Sequence, residues 1–240
     1  MAVPAWVSST AQSVGTTTTT CTINVPTTAA NDILIVQAIN GGANVALTLG
    51  GTYSGGAFAS IDSGGWTSGW GGVWWSRATG NHTGQTVTVQ TATDSISALL
   101  TRVSGCITTG NPWDTNIASA TVAAGANCAL SSFNTVRADD LILYLIEVDD
   151  NLLTSAMTMN SVTMGNLSTA ASSGGADSHC AVANLRQAQA GATGAFAATL
   201  GAGTNQGKRA TAIGLMTSTP GTVPDVGAGL WVPTHGNARR

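Results

Sequence analysis

Charge is scarce in this chain: Asp, Glu, Lys and Arg make up 8% of its 240 residues, against roughly a quarter in an ordinary domain. Nucleic acid is thereby excluded as a partner. Phosphate binding needs clustered Lys and Arg that release counterions, whereas the net charge is −3 and the basic clusters are Lys208-Arg209 and the terminal Arg239-Arg240. Solubility must rest on hydroxyls and amides, and weak like-charge repulsion suits a surface that lies against neighbouring subunits. Long apolar runs are missing as well. None approaches the ~20 residues that span a bilayer, so no membrane partner is expected. Residues 1–15 carry neither a basic start nor a continuous apolar core, so the expectation is a chain made in the cytoplasm.

Catalytic and ligand-binding patterns are equally thin. Cys21, Cys106, Cys128 and Cys180 are widely spaced with no CxxC pair, which removes the usual zinc and redox spacings. Buried thiols are expected, with a disulfide framework of three conceivable pairings left open. The histidines are His82, His179 and His235, and Asp177-Ser178-His179-Cys180 is the nearest approach to a nucleophile with its base. Adjacency argues against it, because a triad is assembled from separate elements. Tyr53-Ser54-Gly55-Gly56 is only a faint likeness of a GxSxG elbow. Glu147, Asp149, Asp150 and Asn151 could offer oxygens to calcium, but the Gly and distal Glu of an EF-hand loop are absent, and a solvated strand-end turn is expected. No catalytic residue, no metal site and no cofactor are assigned, and the chain is not expected to be an enzyme.

What the chain does have is a ladder of short apolar segments. Residues 139–148, Asp-Asp-Leu-Ile-Leu-Tyr-Leu-Ile-Glu-Val, form the longest of them, and their shortness, their Ile, Val and Tyr content and their acidic brackets predict a central strand. The same pattern stands 108 positions earlier at residues 31–39, Asp32 matching Asp140. Two related halves follow, about 16–110 and 115–218, with Asn111-Pro112-Trp113-Asp114 as connector. Further strands are predicted at residues 16–26, 86–90, 97–103, 128–133, 180–185, 196–200 and 210–216, which fits an all-β sandwich better than alternating βα units. Residues 1–15 are expected to be an N-terminal arm or first edge strand.

Tryptophan is concentrated where glycine is. Trp66, Trp70, Trp74 and Trp75 interleave with Gly64, Gly65, Gly69, Gly71 and Gly72, a spacing that predicts a long glycine-shaped loop. Trp74 and Trp75 lead into a strand and are expected in the core, while Trp66 and Trp70 are candidates for contact with a partner or a glycan. Residues 219–240 carry Pro220, Pro224 and Pro233 around Leu230-Trp231-Val232 and have no counterpart inside the repeat. They are expected to be an extended arm in which Trp231 is a further contact candidate, against a neighbour or folded back on its own sandwich.

Residues 30–35 (Ala-Asn-Asp-Ile-Leu-Ile), Gly65-Trp66-Thr67, residues 76–80 (Ser-Arg-Ala-Thr-Gly), residues 103–106 (Val-Ser-Gly-Cys) ahead of Asn111-Pro112-Trp113-Asp114, and residues 189–194 (Gln-Ala-Gly-Ala-Thr-Gly) occur in a familiar order. In this order the chain resembles the Gly/Thr/Ala-rich β-sandwich proteins of tailed bacteriophages, over most of its length up to Pro220. The likeness implies a jelly-roll-like sandwich that serves as a virion component. The usual Asn-Pro-Val-Asp connector stands here as Asn-Pro-Trp-Asp. On this basis the expected function is a capsid decoration or cement protein in the virion, a homo-oligomer such as a trimer bound to the major capsid protein or other virion proteins. The alternatives are a tail or head-fibre protein that binds host glycans through the tryptophan-rich segment, and a carbohydrate-active enzyme on a jelly-roll scaffold.

Overall fold

The computed structural model describes residues 2–15, 19–91, 95–122, 127–150, 154–172, 177–201 and 207–218. The expected C-terminal arm at 219–240, with Trp231, lies outside the described residues. All regular structure among the described residues is strand. The first eight strands are β1 (Ala5–Val14), β2 (Thr20–Asn24), β3 (Ile33–Gly41), β4 (Thr48–Gly51), β5 (Ala59–Trp66), β6 (Gly69–Arg77), β7 (Thr86–Gln90) and β8 (Ile96–Ser104). Then come β9 (Trp113–Val122), β10 (Cys128–Leu130), β11 (Asn134–Thr135), β12 (Asp140–Val148), β13 (Thr154–Met159) and β14 (Val162–Thr163). The last five are β15 (Gly165–Ser172), β16 (Ser178–Gln187), β17 (Gly191–Ala192), β18 (Phe196–Leu200) and β19 (Lys208–Leu215).

Two five-stranded antiparallel sheets, in the orders β1-β8-β3-β6-β5 and β15-β16-β12-β19-β9, pack face to face. A three-stranded sheet, β2-β7-β4, covers the outside of the first, and a four-stranded sheet, β10-β18-β13-β14, covers the outside of the second. A short ladder of β11 with β17 adds to the second half. Position for position, β9, β19, β12, β16 and β15 stand where β1, β8, β3, β6 and β5 stand, and β10, β18 and β13 where β2, β7 and β4 do.

Four stacked layers leave three apolar interiors, and the two central strands serve two of them each. Ile33, Ile35 and Ile39 of β3 meet Leu141, Leu143 and Leu145 of β12 between the large sheets. The alternate residues of β3, Leu34, Val36 and Ala38, face Cys21, Ile23, Val87 and Val89 of the small sheet. On β12, Ile142, Tyr144, Ile146 and Val148 face Cys128, Met157 and Phe196. With a period of two, a strand buried on both faces must be apolar at nearly every position, and that is why these runs are continuous. Each fully buried aliphatic side chain contributes about 1.5–3 kcal/mol. The outer strands show the opposite pattern: Cys21, Ile23, Val87 and Val89 point inward while Thr20, Thr22, Thr86 and Thr88 point out. All four cysteines are free and buried.

Two expectations need correction, and one pair of alternatives is decided. Most of residues 53–75 is not a loop, because 59–66 and 69–75 belong to the hairpin β5–β6. Its glycines serve close approach rather than turning: a Cβ at Gly64 would lie 2.8 Å from Arg209 Nη1, and one at Gly71 would lie 3.0 Å from Glu147 Cγ, both groups reaching across from the opposite large sheet. Of the two forms expected for the N-terminal segment, residues 5–14 take the edge strand, β1, which pairs along β8. The connector is shorter than its Asn-Pro-Trp-Asp spelling suggests, since Trp113 and Asp114 already open β9.

Gly207 makes a further close approach. A Cβ there would fall inside the Trp66 indole, at Cδ1, Nε1 and Cγ. The indole is itself buried and has little room to withdraw. Gly207→Ala is therefore expected to lower stability by about 1–3 kcal/mol through overpacking, read as a drop in the urea midpoint at unchanged m.

Candidate functional site

The large sheets are joined by polar groups as well as by apolar packing. A bulge between Ser60 and Asp62 in β5 interrupts the register beside β6. Across the layer, Arg209 of β19 donates from Nε to Asp62 Oδ2 at 3.0 Å and from Nη2 to Oδ1, while Thr211 Oγ1 donates to Oδ2 at 2.7 Å. The guanidinium fits because Gly64 has no side chain to meet it. A few residues away, Gln37 Nε2 of β3 donates to Ile146 O at 2.8 Å and to Glu147 Oε1 at 2.9 Å. Glu147 is fully buried, and burial pushes its carboxyl up to about 8 against the pull of the Gln37 hydrogen bond and of Arg209. An acid with a raised pKa in a cleft would be a candidate for proton transfer. This one is packed beneath Gly71 inside the layer, so what the cluster can do is hold two sheets in register.

A second carboxyl pair sits at one end of the second half. Asp140 opens β12 beside Asp114 of β9, and both are buried. Burial, with Asp114 adding to it, pushes the Asp140 carboxyl up to about 7. In the first half the matching acid, Asp32, instead receives Arg102 Nε and Ala29 N, each at 2.7 Å. The register explains the difference, because Arg102 stands opposite Leu34 whereas Gly214 stands opposite Ile142.

Alternation along β16 separates the residues of the Asp177–Cys180 stretch. Ser178 bonds to Ser97 Oγ at 2.9 Å, Cys180 enters the layer between the large sheets, and His179 points the other way to Thr154 Oγ1 at 2.9 Å. Burial holds the His179 imidazole down to about 4. Nucleophile and base are thus not brought together. Ser54 of the Tyr53–Gly56 stretch bonds to Gln85, and the Tyr53 ring stands edge-on to His82 at 4.9 Å. The acids proposed for calcium also diverge: Glu147 is enclosed, while Asp149 Oδ1 accepts from Gly42 N at 3.2 Å. Among the described residues no three His, Cys, Asp or Glu side chains group as metal ligands.

The tryptophans divide by burial. Trp66, a contact candidate from sequence, is only 9% exposed and packs in the layer between the large sheets, so it presents almost no surface to a partner. Trp70 is half-buried against the outer core of the first small sheet and stacks on Trp74 with ring centroids 5.9 Å apart. Trp74 is buried, as expected from its place in a strand, and Trp75 is half-buried against Trp113 at 5.0 Å.

Nothing local in the sequence announces the Asp62–Arg209 ion pair, which links the two large sheets with both side chains almost buried. The available signal was compositional, a lone Asp in a Gly/Ser segment and an Arg within an Ala/Thr strand of a chain with few charges. The seven strands of the two small sheets, β2, β4, β7, β10, β13, β14 and β18, contain no Asp, Glu, Lys, Arg or His at all. Two open grooves border the first of these sheets. One of about 420 Å³ is lined by Thr19, Thr20, Val45, Ala46, Thr48, Gln90 and Thr91. The other, of about 290 Å³, lies along β4 between Leu49, Tyr53 and Phe58.

The fold and these surfaces define an all-β sandwich protein with two uncharged outer sheets. No protein-family model matches the chain, and no characterised protein or solved structure matches it.

Proposed function

We propose that the protein is a non-enzymatic structural subunit of a bacteriophage particle, a decoration or cement protein that binds the outside of the head against the major capsid protein as a homo-oligomer. The observation that carries this reading is the absence of every ionisable side chain but cysteine from the seven outer strands. Covering a threonine and alanine face strips away far less hydration than covering charges, so such a face packs against repeated neighbours at low cost. Strand order supports it too: the chain passes between the large and small sheet at β1–β2–β3–β4 and again at β6–β7–β8, in the manner of a jelly roll. A subunit that binds only the assembled shell stabilises it by mass action.

Thr88 lies mid-face, between Thr22 and Gly50 of the flanking strands. Thr88→Lys is expected to weaken binding to stripped particles by tenfold or more, at least about 1.4 kcal/mol, while the free protein stays within about 0.5 kcal/mol of its original stability. Co-sedimentation of the protein with particles measures this. Purified particles that lack the chain, or that shed it with no loss of heat stability, would refute the assignment. A fibre protein that binds host glycans is the second reading, favoured by the partial exposure of Trp70. An adsorption rate untouched by Trp70→Ala would remove it.

A further inference from the structure

The two small sheets end differently. In the second half, β13 pairs with β18 on one side and with β14 on the other, the return being made through Asn160 and Ser161, both at positive φ. Its counterpart β4 pairs with β7 on one side, and no described strand occupies the other. Beside that open edge runs the groove of about 290 Å³, with Leu49, Tyr53 and Phe58 half-buried against the first half's outer core and Gly50, Gly51 and Gly56 along it. An open backbone edge beside apolar side chains is a template for strand addition.

We propose that this edge is the docking site of the chain's own C-terminal segment, with Leu230, Trp231 and Val232 as the added strand. The groove and the end of the described chain lie at the same end of the molecule. Met216 O accepts from Ile107 N at 3.2 Å, Ile107 O accepts from the Arg77 guanidinium, and the neighbouring Ser76 Oγ donates to Gly56 O at 3.1 Å on the groove itself. The eleven residues 219–229 reach up to roughly 36 Å when extended, enough to cover that path. Composition picks out the segment, since Leu-Trp-Val is the longest apolar run in 219–240 and Pro233, which cannot donate to a ladder, closes it. Length fits as well: three residues lie along the four of β4, as the two of β14 lie along β13. Space stands open where a Cβ would project from Gly50, which leaves room for the indole. A tether this short favours the chain's own edge over a neighbour's at ordinary protein concentrations. The inference stands apart from the virion assignment, because the contact forms within one molecule.

Hydrogen exchange of the intact chain and of a chain ending at Ser218 tests it. The β4 amides that face away from β7 are expected to exchange at least about tenfold faster in the shortened chain, and a peptide of residues 219–240 is expected to restore protection. Trp231→Ala in the full-length chain repeats the comparison if the shortened chain does not fold, and is expected to accelerate the same amides. Equal exchange at β4 with and without the segment, or with and without the Trp231 side chain, overturns the proposal. So does protection that rises with protein concentration alongside a dimer in light scattering, since that places the segment on a second copy.

Discussion

Replacing Arg209 with methionine is expected to destabilise the fold by about 3–5 kcal/mol, because it leaves the Asp62 carboxylate nearly buried between the large sheets with a hydroxyl but no cation. The reciprocal change, Asp62→Asn, strands the guanidinium instead and should cost a similar amount. Both charges removed together, in Asp62→Leu with Arg209→Met, should recover most of the loss, since a buried pair exchanged for apolar groups of like volume is often neutral. The cycle isolates the pair from the packing of its methylenes. Urea denaturation at one pH measures all four proteins, and a single-variant loss below about 1 kcal/mol would mean that water screens the pair as it does at an open surface. The consequence concerns the whole architecture, because Asp62 and Arg209 belong to different halves. Loss of this bond should loosen one large sheet against the other.

How much of this is legible in the sequence depends on what each residue answers to. Residues 33–41 and 141–148 announce themselves because burial on both faces demands apolar residues throughout, and β2 and β7 do so by alternation. The hairpin β5–β6 is concealed for the converse reason. Its glycines are selected by what lies across the layer, Arg209 over Gly64 and Glu147 over Gly71, and a local pattern cannot register a neighbour 76 or more positions away. For residues 1–15 the sequence leaves an arm and an edge strand both open, because burial along β1 alternates only weakly at a sheet edge. The contact surface is half legible: the lack of charge is read directly, but which tryptophan faces outward is decided by register, which buries Trp66 and leaves Trp70 partly open. Acids at residues 147–150 look like a solvated cluster in the sequence, yet alternation along β12 carries Glu147 inward to Gln37.

Thermal stability is expected to fall as pH rises from about 6.5 to 8, contrary to the usual broad plateau near neutrality. Glu147 at about 8 and Asp140 at about 7 both bind a proton more readily in the folded chain than in the unfolded one, where carboxyls titrate near 4. Through this window the folded state therefore holds more protons than the unfolded state, and the stability these two groups provide is lost as each ionises in place. His179 works in the opposite sense but elsewhere. Its pKa is lowered from 6.5 to about 4, so its contribution is lost as pH falls through that range and is constant above it. Each proton of difference is worth about 1.4 kcal/mol per pH unit. Glu147→Gln keeps an oxygen for the Gln37 amide and removes the titration, so its stability curve should lose about one proton of slope. Asp140→Asn should remove a smaller part, confined to the low-pH side of this window because its slope fades as pH passes about 7. A wild-type profile that is flat from pH 6.5 to 8, or a Glu147→Gln profile as steep as wild type, would mean that water reaches this carboxyl and that the layer between the large sheets is not dry.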